Sequence, residues 1–66
     1  MSRRDHILAL IPELMFVEAA RKKAKLSAPD AIRRVSDAVD WEAVDNAGNN
    51  LGVVINAIRA ATARAL

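Results

Sequence analysis

The sequence has no cysteine and no tyrosine, a single histidine, and few glycines, prolines and aromatic residues. Without cysteine there is neither a disulfide nor a thiolate metal site, and one histidine is too few for an imidazole-rich site. A chain of 66 residues forms one domain at most, spanning residues 1–66. Such a chain buries only about 60% of its unfolded surface. Since disulfides and metals are excluded, we expect another subunit or a partner to stabilise the core.

The usual signatures of catalysis are also missing. The chain has no nucleophile–base pair, no glycine-rich phosphate loop and no metal-binding constellation. His6 lies beside Asp5 without convergent partners, and we interpret it as a surface histidine. An acidic cluster consists of Asp37, Asp40, Glu42 and Asp45. Its spacing does not match a calcium loop, so we interpret it as a solvated surface or a contact patch for a basic partner. We therefore predict no enzyme activity and no cofactor.

The composition favours helix. Hydrophobic residues make up 53% of the chain, which is too apolar for a disordered segment, and β-branched alternation is scarce. Ser2, Ser27 and Asp40 are each suited to capping a helix N-terminus, and Pro29 lies in the first turn after Ser27. We predict an all-α fold, a small bundle of two or three helices completed by homo-oligomerisation.

The N-terminal segment carries more apolar surface than one helix of a small monomer needs. From Ile7 to Val17 only Pro12 and Glu13 are not apolar. Pro12 either kinks this helix or begins the main helix, which runs to about Lys25. Apolar side chains then cover over half of the circumference, whereas a stripe about 100° wide suffices for packing on one side. The excess predicts a protein interface. Its predicted residues are Ile7, Leu10, Ile11, Leu14, Met15 and Phe16, with Trp41 as a core or interface anchor.

The stretch AGNNLGVV, from Ala47 to Val54, holds both glycines and has two interpretations. In the first, one helix continues from Trp41, because apolar or small residues repeat there every 3.5 positions. That stripe consists of Trp41, Val44, Gly48, Leu51, Ile55, Ile58, Thr62 and Ala65. In the second, the helix breaks near Gly48 and Asn49 or Asn50 caps a new one. We prefer a role for Gly48 and Gly52 in close helix packing.

The two halves of the chain differ in charge. Residues 1–34 contain eight Lys and Arg against four Asp and Glu, and residues 35–66 contain two against four. These opposite charges can orient the two halves of one chain, or two copies of the chain, relative to each other. Solvated charges contribute little to stability, however. The basic run Arg21, Lys22, Lys23 and Lys25 suits the C-terminal end of a helix dipole, and it can also contact phosphate. The apolar run is too short to span a bilayer and no signal peptide is apparent, so we expect a cytoplasmic protein.

The stretch GNNLGVVINAIRA resembles the turn and recognition helix of the helix-turn-helix family. Gly48, Leu51, Gly52, Val53 and Ile58 occupy the places of that pattern's small and aliphatic residues. The resemblance implies a DNA-binding regulator whose C-terminal helix faces base edges with Val54, Ile55, Asn56, Arg59 and Ala60. Of these, Asn56 and Arg59 can hydrogen-bond a base. The implied nucleic-acid contacts are Arg21, Lys22, Lys23, Lys25, Asn56 and Arg59.

The favoured hypothesis is a non-catalytic protein-interaction or oligomerisation module: a small adaptor, inhibitor or assembly protein. Its partners would be a second copy of itself, most simply in a two-fold homodimer, and another protein. The alternative is a small helix-turn-helix-like DNA-binding regulator.

The interface hypothesis makes a direct prediction. Leu14→Asp or Phe16→Asp places a charge in the apolar N-terminal surface and is expected to unfold the protein or dissociate its oligomer. Circular dichroism would detect unfolding and light scattering would detect dissociation. A variant that keeps both its fold and its mass would contradict the hypothesis.

Overall fold

The computed structural model describes residues 2–66, and this range contains five α-helices, one 3-10 turn and no β-strand. The elements are α1 (Arg3–Leu10), the 3-10 turn (Ile11–Glu13), α2 (Met15–Ala24), α3 (Ala28–Ala38), α4 (Trp41–Asn46) and α5 (Leu51–Ala65). The all-α class is confirmed, whereas the number of two or three helices is wrong. Both of the outer predicted helices are divided by an interruption.

The first interruption lies at Pro12. This residue lacks a backbone donor and sits within the 3-10 turn, after which Leu14 is extended with φ −79° and ψ 126°. The main helix therefore begins at Met15 rather than at Pro12. Because α1 and α2 have different directions, Ile7, Ile11 and Val17 all reach the same core and are 8%, 0% and 2% exposed. The chain thus covers much of the apolar surface that a single helix would have left open.

The predicted N-caps are confirmed. The Ser2 hydroxyl accepts a hydrogen bond from the Asp5 amide, and the Asp5 carboxylate accepts one from the Ser2 amide, which completes a capping box. Ser27 caps α3 and Asp40 caps α4 in the same way, each by accepting an amide hydrogen bond. Each cap satisfies a free amide of the first turn and contributes about 1 kcal/mol.

The second interruption separates α4 from α5. Gly48 has φ +57°, a conformation that glycine adopts without strain, and the Asn50 amide donates to the Ala47 carbonyl at 3.0 Å. The Asn50 side chain then caps α5 by accepting from the Val53 amide at 3.3 Å. Of the two interpretations of this stretch, the broken helix is therefore the observed one.

This break also overturns the continuous 3.5-residue stripe. Leu51 lies on the stripe but is 63% exposed, although the stripe members Val44, Ile58 and Thr62 are 1%, 0% and 5% exposed. The stripe is therefore interrupted by the turn at residues 47–50 and by the exposed first residue of α5, rather than continuous. The buried face of α5 consists of Val54, Ile58, Ala61 and Thr62.

Helix α5 lies at the centre of the core and packs against α2, α3 and α4. The largest fully buried side chains are Ile11, Val17, Val35, Val44 and Ile58. The accessible surface is 4311 Å², close to the roughly 4,100 Å² of a compact monomer of this size. None of the described helices is long and apolar enough to cross a membrane.

Replacing each of the two glycines by alanine is expected to change the free energy of unfolding in opposite directions. Gly48→Ala should lower the free energy of unfolding by about 1 kcal/mol, because the added Cβ has space but the positive φ disfavours it. Gly52→Ala should raise it by about 0.5 kcal/mol, because Gly52 is helical and its new Cβ would meet only the Asn50 Oδ1 at 3.4 Å. Urea denaturation of both variants measures the difference. Equal signs would contradict this assignment of the turn.

Candidate interaction surface

The predicted interface residues divide into three groups by exposure. Ile7 and Ile11 belong to the core of the single chain, so their burial requires no partner. Leu10, Leu14, Phe16 and Trp41 are half-buried, and Leu14, Phe16 and Trp41 pack against the core. Met15 is 86% exposed. The chain thus covers most of the predicted surface itself and leaves Met15 as its open part.

Trp41 is held by contacts within the chain. Its indole Nε1 donates a hydrogen bond to the Ser36 carbonyl at 2.9 Å, and the Arg4 guanidinium lies 4.5 Å from the ring centroid. A cation over an aromatic face is attracted by the ring quadrupole. Trp41 therefore anchors α1 and the end of α3 to the start of α4.

The largest unpartnered surface belongs to α5. Its exposed residues, called here the α5 surface, are Leu51, Gly52, Val53, Asn56, Arg59, Ala60, Ala63 and Arg64. Leu51 and Val53, at 63% and 39%, are two of the three exposed large hydrophobic residues among residues 2–66. No carboxylate occurs between Leu51 and Leu66. A solvated helix face normally carries charged residues, so this face has the composition of a contact surface.

Gly52 lies between Leu51 and Val53 without a helix packed on it. A Cβ there would meet only Asn50 Oδ1, and one at Gly48 would meet no atom within 4 Å. Close packing at the two glycines therefore does not occur within the chain. Gly48 serves the turn, while Gly52 leaves the α5 backbone accessible, so close packing against another chain stays a prediction.

A groove borders the N-terminal end of the α5 surface. Its volume is about 480 Å³, and we call it the α1–α5 groove. It is lined by Arg3, His6, Ile7, Leu10, Gly48, Asn49, Leu51 and Val54. Leu10 of the predicted interface thus lies beside Leu51, and His6 stands at the exposed rim. The Arg3 side chain is restrained because its Nη2 donates a hydrogen bond to the Val44 carbonyl at 3.3 Å.

A second groove borders the C-terminal half of α5. This α2–α5 groove has a volume of about 540 Å³. It is lined by Phe16, Ala20, Lys23, Ala24, Arg59, Thr62, Ala63 and Leu66. The guanidinium of Arg59 lies over the Phe16 ring, 4.6 Å from its centroid. The hydroxyl of the buried Thr62 donates to the Ile58 carbonyl, so it presents its methyl group rather than an open donor.

The basic run lies at the C-terminal end of α2 as predicted, but its members differ in whether their side chains are free to contact a partner. Arg21 forms a bidentate pair with Glu18 and donates from Nη1 to the Leu26 carbonyl at 3.0 Å. The hydrogen bond from Arg21 lowers the pKa of the Glu18 carboxyl, and the same bond raises the pKa of Arg21. Lys22, Lys23 and Lys25 remain exposed. Arg21 is therefore occupied within the chain, and three lysines form the open part of the run.

The acidic cluster is exposed and surrounds α4. Asp40 uses its carboxylate to cap α4, and Arg64 donates to the nearby Ala38 carbonyl at 2.5 Å. Within residues 2–66 no group of three potential ligands is arranged to hold a metal ion. The opposite charges of the two halves do not meet in ion pairs, since the pairs found in this range are the local Arg21–Glu18 and Arg33–Asp30.

Sequence reasoning missed that Leu51 is exposed. It placed Leu51 on an inner stripe because it treated Trp41 to Ala65 as one periodic helix. The signal for the correct assignment was the Gly-Asn-Asn turn before Leu51, in which Asn50 is a good N-cap. Leu51 shares the side of α5 that carries Ile58, but as the first residue of the helix it lies beyond the packed positions Val54, Ile58 and Ala61.

Comparison with protein-family models, with curated proteins and with solved structures found no match to this chain.

Proposed function

We propose that this chain is a non-catalytic protein-interaction module that associates with a second copy of itself through the α5 surface. The observation that carries the proposal is the exposure of Leu51 in the first turn of α5, beside the α1–α5 groove and next to the uncovered Gly52. Burying such side chains releases about 25 cal/mol for each Å² of apolar surface removed from water. The uncovered Gly52 lets a second helix approach the backbone of α5 closely.

The charge pattern is compatible with contact between identical surfaces. A two-fold interface brings the same patch of two copies together, so like charges at its centre would repel. The first turns of the α5 surface carry no charged side chain, and Arg59 and Arg64 lie further along the helix. Leu10, in the bordering α1–α5 groove, adds apolar surface beside Leu51. This part of α5 therefore meets a copy of itself without burying a charge.

Substitution of Leu51 by aspartate tests the proposal. Leu51 is the first residue of α5, where a carboxylate suits the helix dipole, so Leu51→Asp should leave the fold intact. We expect the dissociation constant of the homodimer to rise at least about tenfold, measured by sedimentation equilibrium. Ala19→Asp, on an exposed position of α2, is the matched control and should leave the dimer unchanged. A wild-type protein that stays a single copy at millimolar concentration would refute the proposal.

One observation favours a second candidate, a DNA-binding regulator. Helices α4 and α5 are joined by the turn at Gly48, and Asn56 and Arg59 are exposed on the second of these helices. However, Val54, which would face a base edge, is 3% exposed. Helix α4 also carries exposed Glu42 and Asp45 and no cation, although the first helix of a helix-turn-helix motif crosses the phosphate backbone. These carboxylates would repel the DNA.

Duplex binding at two salt concentrations separates the two candidates. The interaction proposal predicts weak binding that Arg59→Ala leaves nearly unchanged, because Arg59 is one of nine exposed Lys and Arg residues among residues 2–66. Fluorescence anisotropy of a labelled duplex measures this directly, with Arg34→Ala as the control for loss of one charge. Sequence-dependent binding that Arg59→Ala alone abolishes would instead support the DNA-binding regulator.

A further inference from the structure

We infer that the α2–α5 groove binds an amphipathic helix of another protein, with carboxylates at its i and i+7 positions and aliphatic residues between them. This inference rests on the proposed interaction role, and it assigns a second surface and the chemistry of its partner. The α2–α5 groove shares Arg59 and Ala63 with the α5 surface, but it lies at the other end of α5 from Leu51 and combines a basic rim with an apolar floor.

The charge of the groove selects the partner. Lys23 and Arg59 are the charged residues of its lining, and neither takes part in an ion pair within residues 2–66. Helix α5 has no acidic residue, and the one carboxylate of α2, Glu18, is held by Arg21. The rim therefore presents two positively charged side chains that form no ion pair within residues 2–66. An acidic partner gains from this complementarity in both orientation and association rate.

Arg59 is prepared for a carboxylate by its contact with Phe16. Stacking over the ring at 4.6 Å restrains the long side chain while it leaves the N–H donors at the guanidinium edge free. Arg21, Arg33, Arg3 and Arg64 each donate to an acceptor within the chain, whereas no such bond is found for Arg59 among residues 2–66. A planar guanidinium of this kind binds a carboxylate through two parallel hydrogen bonds.

The dimensions of the groove set the spacing in the partner. Phe16, which carries Arg59, and Lys23 lie two turns apart on α2, or about 10 Å. Carboxylates at i and i+7 of a partner helix have the same separation. Residues at i+3 and i+4 lie between them on the same face, above a floor of Ala20, Ala24 and Ala63. These small side chains leave room for two leucines.

A labelled amphipathic peptide with Glu at i and i+7 and Leu at i+3 and i+4 tests the inference by fluorescence anisotropy. We expect binding that weakens at least about tenfold when both Glu are replaced by Gln, or when the protein carries Arg59→Gln. Arg34→Gln, an exposed arginine of α3, is the matched control and should leave the affinity unchanged. Circular dichroism checks that both variants remain folded, as expected for exposed positions.

Two results would overturn the inference: no peptide binding at millimolar concentration, or binding that ignores both Arg59→Gln and the change from Glu to Gln. The inference would also be overturned if a short DNA strand displaced the peptide and only Arg59→Gln, not the change from Glu to Gln, lowered the affinity. That result would assign the groove to nucleic acid. Repeating the titration with Leu51→Asp separates this inference from the proposed self-association. If the Leu51→Asp protein has the mass of a single copy and still binds the peptide, the inference about the groove holds independently of the proposed self-association.

Discussion

The fold depends on the interruption at Pro12. Without it, the apolar residues from Ile7 to Val17 would surround one helix, and no arrangement of a single chain could bury all of them. Pro12 removes a backbone donor, and the extended Leu14 that follows changes the chain direction. Ile7, Ile11 and Val17 then converge on one core. The accessible surface consequently matches that of a compact monomer, so any role in association has to come from elsewhere on the molecule.

Helix α5 lies at the centre of the core and also carries the exposed residues of the α5 surface. One side of α5 is covered by α2, α3 and α4, while its first turn exposes Leu51 and Val53. The turn at Gly48 separates α4 from α5 and makes Leu51 the first residue of α5, where its side chain is exposed.

Several arginine side chains make specific contacts within the chain. Arg3, Arg21 and Arg64 donate to backbone carbonyls at or near helix C-termini, where orphan acceptors and the helix dipole favour a cation. Arg4 and Arg59 instead stack on Trp41 and Phe16. This use of arginine explains why the two oppositely charged halves make no ion pair with each other in the described part of the chain. It also distinguishes Arg59, whose ring contact leaves its hydrogen-bonding edge open beside an apolar groove.

The sequence by itself determined the helical class, the N-caps at Ser2, Ser27 and Asp40, and the position of the basic run, because these depend on local propensity and on hydrogen bonds within one turn. It also located the interruption at Pro12 without deciding its geometry, and it left a break near Gly48 open against one continuous helix. Only the tertiary structure decided that Ile7 and Ile11 lie inside while Leu51 lies outside, and that Phe16 meets Arg59. Those outcomes depend on the angles between successive helices, and such angles are set by packing between residues far apart in the chain.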